Sequence, residues 1–332
     1  MGEHKSESVM GVGIVGTGYA AKRRAEAIQG DRRSHLVTVS GYSRENTEAF
    51  CQEYQIQAAP SWQALVEHPQ LDLVIIATVN QDHAPIAQKA LEAGKHVVLE
   101  YPLALSPQDG QTLLALAEQQ GKLLHVEHIE LLGGVHQALR QSLGQIGEVS
   151  YGRYITITPQ RPVSRRWTYH KSLFGFPFTA ALSRLHRLTN IWGEVASVRG
   201  TLRYWDVPES EYFRACLATA QLEFRNGAIA DLVYGKGETF WQSTRTLELH
   251  GEQGTLVFAG ETGKLIQGEQ ETPLEVSRRR GLFQQDTQLV LDYLLDQKPL
   301  YVHARQSYYA LLVADAIRHS VETGEKVTLA PC

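Results

Sequence analysis

The sequence predicts two domains of different class, an α/β unit over residues 9–126 and an α+β unit over residues 127–332 built on a large, mostly antiparallel sheet of about six strands. Three observations predict it. A short apolar strand runs into Gly13-Ile14-Val15-Gly16-Thr17-Gly18-Tyr19-Ala20-Ala21 and then into a helix. Strand-like and helical runs alternate from there to residue 126, the pattern of a parallel sheet covered on both faces. Beyond Gly147 the period changes to the two-residue alternation of antiparallel strands.

Taken in order, the glycine turn carries the spacing of a dinucleotide-binding fingerprint, so the first unit reads as a Rossmann domain. At Gly16 the chain turns tightly, and at Gly18 the backbone meets a pyrophosphate with no side chain between. Ala21 lets helix and strand pack closely, and the amides around Tyr19 and Ala20 point at the phosphates. A second strand, residues 36–39, runs into Gly41-Tyr42-Ser43-Arg44 without the carboxylate that would bind a ribose 2′-hydroxyl. Ser43 and Arg44 instead offer a hydroxyl and a guanidinium to a 2′-phosphate, so NADPH is the expected cofactor and NADH the weaker alternative. An ordinary solvated Arg44 at the start of a helix over residues 45–54 is the competing reading. Strands follow at residues 71–78, 95–100 and 123–127, with helices at 84–93 and 107–120. Ligands of such sheets bind beyond the strands' carboxyl ends, which places Thr78, Val79, Asn80, His83, Glu100, Tyr101, Glu127 and His128 around one crevice.

In the second unit, strands are expected at residues 149–158, 195–204, 218–224, 229–234, 244–250 and 255–258, with turns at Asn226-Gly227 and at residues 252–254. A helix near residues 179–192 interrupts them. Two more, at 283–296 and 305–323, are expected to pack at the domain junction.

Composition bounds the function. The 332 residues are 43% hydrophobic and 20% charged, enough for two cores. A net charge of −4 provides no general attraction for nucleic acid or an anionic membrane, so any anionic ligand must be held locally. Residues 1–8 lack a signal peptide's apolar run, and Cys51, Cys216 and Cys332 form no metal or disulfide spacing, which favours a reducing cytoplasm. His83, His125 and His128 have the wrong spacing for a zinc helix and read as structural; no metal is expected.

The glycine fingerprint, the run Ile76-Ala77-Thr78-Val79-Asn80-Gln81-Asp82-His83, the Glu100-Tyr101-Pro102 corner and the second sheet together resemble the Gfo/Idh/MocA oxidoreductase family over nearly the whole chain. Sugar dehydrogenases of that family carry Glu-Lys-Pro at the corner and an Asp and His four residues apart on a helix. Here Tyr101 replaces the lysine, and Thr179 and Ser183 fall where the Asp and His would be. Neither hydroxyl can deprotonate a sugar. The departures, with residues 125–132, Phe174-Gly175-Phe176-Pro177 and Ser183-Arg184, look like the family's biliverdin reductase branch in its bacterial form. That resemblance implies NADPH-dependent reduction of biliverdin IXα to bilirubin, with hydride added at C10 and a proton at a pyrrole nitrogen. It implies Arg184 as proton source, with Tyr101 and Glu100 as the second choice. A guanidinium is a very weak acid, so Arg184 as propionate anchor is the alternative. Phe174 and Phe176 are expected as apolar walls, Ser183, Glu127 and His128 as crevice lining, and Lys236 as a partner for carboxylates. Two other readings remain open: a sugar or cyclitol dehydrogenase, for which His186 is the best available base, and a non-catalytic NADP-binding bilin sensor. The sequence sets no oligomeric state.

Overall fold

The computed structural model describes residues 9–163 and 165–331; the polar opening segment and Cys332 lie outside them. The chain divides into two compact units. The first comprises residues up to Ala104, Gln108–Glu127 and Gly281–Arg305; the second comprises Leu105–Pro107, His128–Arg280 and the residues from Gln306 on.

The first unit holds β1 (Met10–Val15), β2 (Ser34–Ser40), β3 (Gln57–Ala58), β4 (Leu73–Ile76), β5 (His96–Leu99) and β6 (Leu124–Val126), in the order β3-β2-β1-β4-β5-β6. All pairs are parallel, and the order reverses direction at β1, which creates the ligand crevice of a doubly wound sheet. Every residue of β1 and of β4 is buried, as strands covered on both faces require. Each such aliphatic side chain contributes about 1.5–3 kcal/mol. The expected strands and helices are present. Of its strands only β3 escaped the sequence reading, because both of its residues are exposed and carry no apolar signal; the short helix Trp62–Val66 was not foreseen either.

The helix Leu282–Asp296 is expected in the second domain but packs in the first unit, against the fingerprint helix Tyr19–Gln29. Val290 and Leu291 complete the core around Val12, Ile14 and Ile28, and Asp286 is the buried counter-charge to Arg24. These contacts decide its membership.

The second unit is built on β7 (Val149–Pro159), β8 (Val195–Asp206), β9 (Phe213–Phe224), β10 (Ile229–Gly237), β11 (Thr244–Gly251), β12 (Gly254–Ala259), β13 (Thr262–Gln267), β14 (Gln270–Leu274) and β15 (Val327–Thr328). They form one sheet, β14-β13-β12-β11-β7-β10-β9-β8-β15. Among the described residues this sheet has nine strands, where about six were expected. The six expected strands are present; the others are short strands at or beside the edges of the sheet, with Leu265 the one buried residue among them and little apolar alternation. The sheet is also mixed, since β7 and β10 pair in parallel at its centre. The turns at Asn226-Gly227 and before Gly254 join antiparallel neighbours as expected. Helix Ser183–Trp192 carries seven buried residues, and helix Ala304–Thr323 lies along β8, where Ser320 Oγ accepts from the Gly200 amide.

Candidate active site

In the first unit, β1 ends in the fingerprint. Gly16 has φ +124°, and a Cβ there would stand 2.1 Å from the Ala77 carbonyl oxygen, so only glycine can make this turn beside β4. Gly18 is the N-cap of Tyr19–Gln29 and caps no amide, and the first turn holds no acidic residue. That helix start therefore presents amides to an anion without a competing carboxylate. Tyr19 is 73% exposed, its ring edge-on to Phe283. Gly41 closes β2: a Cβ there would meet Thr47 Oγ1 at 2.5 Å and Thr17 Cγ2 at 2.7 Å. Ser43 caps the next helix, Arg44–Tyr54, by accepting from the Asn46 amide at 3.4 Å, which leaves its hydroxyl hydrogen to donate elsewhere. The Arg44 side chain is 92% exposed, with Nε 2.7 Å from Glu48 Oε1. Uncapped amides, a glycine-only turn and a strand end bearing hydroxyl and guanidinium fit a dinucleotide with a 2′-phosphate.

Thr78, Val79 and Asn80 follow β4, with Asn80 buried and the Thr78 hydroxyl donating to the Val79 carbonyl at 3.2 Å. Glu100, Tyr101 and Pro102 follow β5, and the Tyr101–Pro102 bond is cis. This corner is held from two sides. His83 Nδ1–H donates to the Pro102 carbonyl at 2.8 Å, and burial lowers the His83 pKa, which keeps the ring neutral. On the other side Arg24 Nε donates to Glu100 Oε1 at 2.9 Å.

Arg24 is the centre of a buried network that the sequence reading missed. It is wholly inaccessible, bonded to Asp286 and, at 3.0 Å, to the Thr287 hydroxyl. Asp286 also accepts from His125 at 2.8 Å and from Tyr301 at 2.6 Å. Burial alone would raise the Asp286 pKa, but Arg24 and His125 outweigh it and hold the carboxyl far below the usual range. Glu127 is buried and adds to the field on Arg24. Nothing local marks this arginine; its bonded partners come from the residue after β5 and from a helix more than 250 residues away.

In the second unit, Ser183 and Arg184 open helix Ser183–Trp192. Ser183 is buried, and Arg184 Nη1 donates to its Oγ at 3.1 Å while the half-buried guanidinium lies 5.6 Å from the Tyr234 ring centroid. Phe176 stands edge-on to Phe178 and is partly exposed. Phe174 and Lys236, expected to face a ligand, are 5% and 7% exposed within a cluster of Tyr169, Phe213 and Cys216. The Lys236 ammonium donates to the Thr168 carbonyl and lies 3.8 Å from the Phe174 ring centroid and 4.2 Å from that of Tyr169. No carboxylate among the described residues pairs with it, and burial pushes its pKa down to about 8. Trp241, another aromatic of this unit, is exposed beneath Arg161.

The three histidines have separate partners: His128 Nε2 meets Ser307 Oγ at 2.9 Å, and its ring stacks on His186 at 3.9 Å. His186 is buried and pushed down to about 4 by burial. Thr179 and Ser183 are buried as well. A further network was not foreseen: Glu130 receives Arg187, Arg245 and Arg279, and Arg187 also donates to the Tyr154 hydroxyl. Burial would raise the Glu130 pKa; the three guanidiniums instead bring it to about 2. These residues line an open pocket on the second unit.

Two family models match the chain. Residues 10–128 match the oxidoreductase family's NAD-binding Rossmann fold, and residues 138–329 match that family's C-terminal alpha/beta domain. Among solved structures, biliverdin reductase from Synechocystis sp. PCC 6803, in complex with biliverdin and NADP+, superposes with a TM-score of 0.93 at 59% identity, covering 94% of this chain and 99% of that one. Mus musculus biliverdin reductase A is 28% identical over 288 residues, 86% of either chain. Homo sapiens biliverdin reductase A is 26% identical over 317 residues, 94% of this chain and 96% of its own. With both domains matched, and with the glycine turn and Glu100-Tyr101-Pro102 corner in place, the chain belongs to the Gfo/Idh/MocA oxidoreductase family.

Proposed function

We propose that this chain is an NADPH-dependent oxidoreductase that reduces biliverdin IXα to bilirubin. The observation that carries the reading is the 59% identity, end to end, with a chain solved with biliverdin and NADP+. The reduced nicotinamide supplies the hydride for C10 when it is bound. The chain's own residues bind, orient and protonate. Amides at the start of Tyr19–Gln29 hold the pyrophosphate, while Ser43 and Arg44 take the 2′-phosphate. Thr78, Val79, Asn80 and the Glu100-Tyr101 corner line the nicotinamide end, with Arg24 and His83 fixing that corner. Phe176 contributes apolar surface to the bilin. Arg184 supplies the proton at a pyrrole nitrogen, directly or through water, and Tyr101 is the second donor.

The sugar dehydrogenase reading lacks a base. Thr179 and Ser183 are hydroxyls, and His186 is buried against His128 with its pKa near 4. An anaerobic absorbance assay with NADPH and biliverdin, run beside NADH, tests the proposal: bilirubin should form, faster with NADPH. Binding without conversion would favour a sensor, and the absence of both binding and conversion would overturn the reading. Arg184→Ala should lower kcat by about 100-fold or more if it supplies the proton. A raised KM with unchanged kcat would make it an anchor.

A further inference from the structure

The start of helix Arg44–Tyr54 is an odd place for a phosphate. Its first turns carry one guanidinium, Arg44, against two carboxylates, Glu45 and Glu48. Glu48 is bonded to Arg44 itself, through Nε at 2.7 Å, and both side chains are mostly exposed, at 92% and 57%. Near the other end of the helix Glu53 pairs with Lys22. Because Glu48 takes Nε, the terminal nitrogens of Arg44 remain for a second anion, which would then face Glu48 across the same guanidinium.

Two opposing effects follow. Glu48 orients Arg44 in advance, but an exposed i,i+4 pair orders its partners only weakly. It also repels a phosphate carrying nearly two negative charges, and that repulsion reaches about 10 Å at 0.1 M salt. Repulsion wins, by more as the salt falls. We propose that Glu48 is a specificity-determining residue: it occupies Arg44 in the free protein and opposes the 2′-phosphate, narrowing the preference for NADPH over NADH. The inference rests on the NADPH reading of Ser43 and Arg44.

Calorimetric titration of the full chain with 2′,5′-ADP and with 5′-AMP tests it without bilin or turnover. For the parent protein 2′,5′-ADP should bind more tightly than 5′-AMP. Glu48→Gln should tighten 2′,5′-ADP about fivefold at about 0.01 M salt, lose most of that gain near 1 M, and leave 5′-AMP unchanged. In an Arg44→Ala background the part of the Glu48→Gln gain that comes from freeing Arg44 should vanish, while the salt-dependent part that comes from repulsion should remain. Unchanged or weaker 2′,5′-ADP binding by Glu48→Gln, with the parent still preferring 2′,5′-ADP, would overturn the role of Glu48 alone and make it neutral or a positioning aid. No preference in the parent would overturn the NADPH reading as well.

Discussion

Lys236 is a cation buried among rings, with a backbone carbonyl in place of a counter-ion. Burial moves its pKa from 10.5 to about 8, so between those values the unfolded chain binds a proton that the folded chain does not. Stability from this group therefore rises with pH across that window, and its full cost is felt below it. Relative to a Lys236→Met variant, the parent should gain about 3 kcal/mol between roughly pH 7 and 10.5, read from urea midpoints. Parallel pH profiles would contradict the burial argument. Arg24 and Glu130 show the opposite solution, in which buried charges are kept by partners: one guanidinium among carboxylates, one carboxylate among guanidiniums. The identity of these residues was plain in the sequence. Their pairing was not, because ion pairs form between positions close in space and far apart in chain order.

At the scale of elements, the turn between β1 and its helix and the end of β2 act together, since Thr17 lies between the fingerprint glycines and also packs on Gly41. Gly41→Ala sets a methyl against Thr17 and Thr47, which must move. The expected outcome is a loss of about 1–3 kcal/mol and weaker NADPH binding, measured by thermal melting and fluorescence titration. An unchanged affinity would show that Thr17 can yield without disturbing the turn. This part of the site was legible because its constraints are local: a tight turn, close backbone approach and a helix cap each demand particular residues within a few positions. The outlying strands were not, because Thr262–Gln267, Gln270–Leu274 and Gln57–Ala58 bury little, and their apolar patterning is correspondingly faint.

At the scale of the molecule, each unit is assembled from separated pieces of chain. The first takes Gly281–Arg305 from beyond the second, and with it Asp286, Val290 and Leu291. A fragment of residues 10–128, the span of the first family model, leaves Arg24 without Asp286 and uncovers the core behind Ile14 and Ile28. It should show no cooperative urea transition and little near-ultraviolet dichroism, since breaking a buried pair costs about 3–5 kcal/mol before the lost packing is counted. A cooperative fragment as stable as the full chain would refute that dependence.

The sequence by itself determined the two fold classes, the six central strands of the second sheet, the dinucleotide turn and the family, because periodicity and turn chemistry are written over short stretches. Only the tertiary structure decided the parallel join of β7 to β10, the membership of Leu282–Asp296, the inward burial of Lys236 and Phe174, and the networks around Arg24 and Glu130. Each depends on long-range pairing in a low-dielectric interior, where a charge keeps its place only by the partners that folding brings to it.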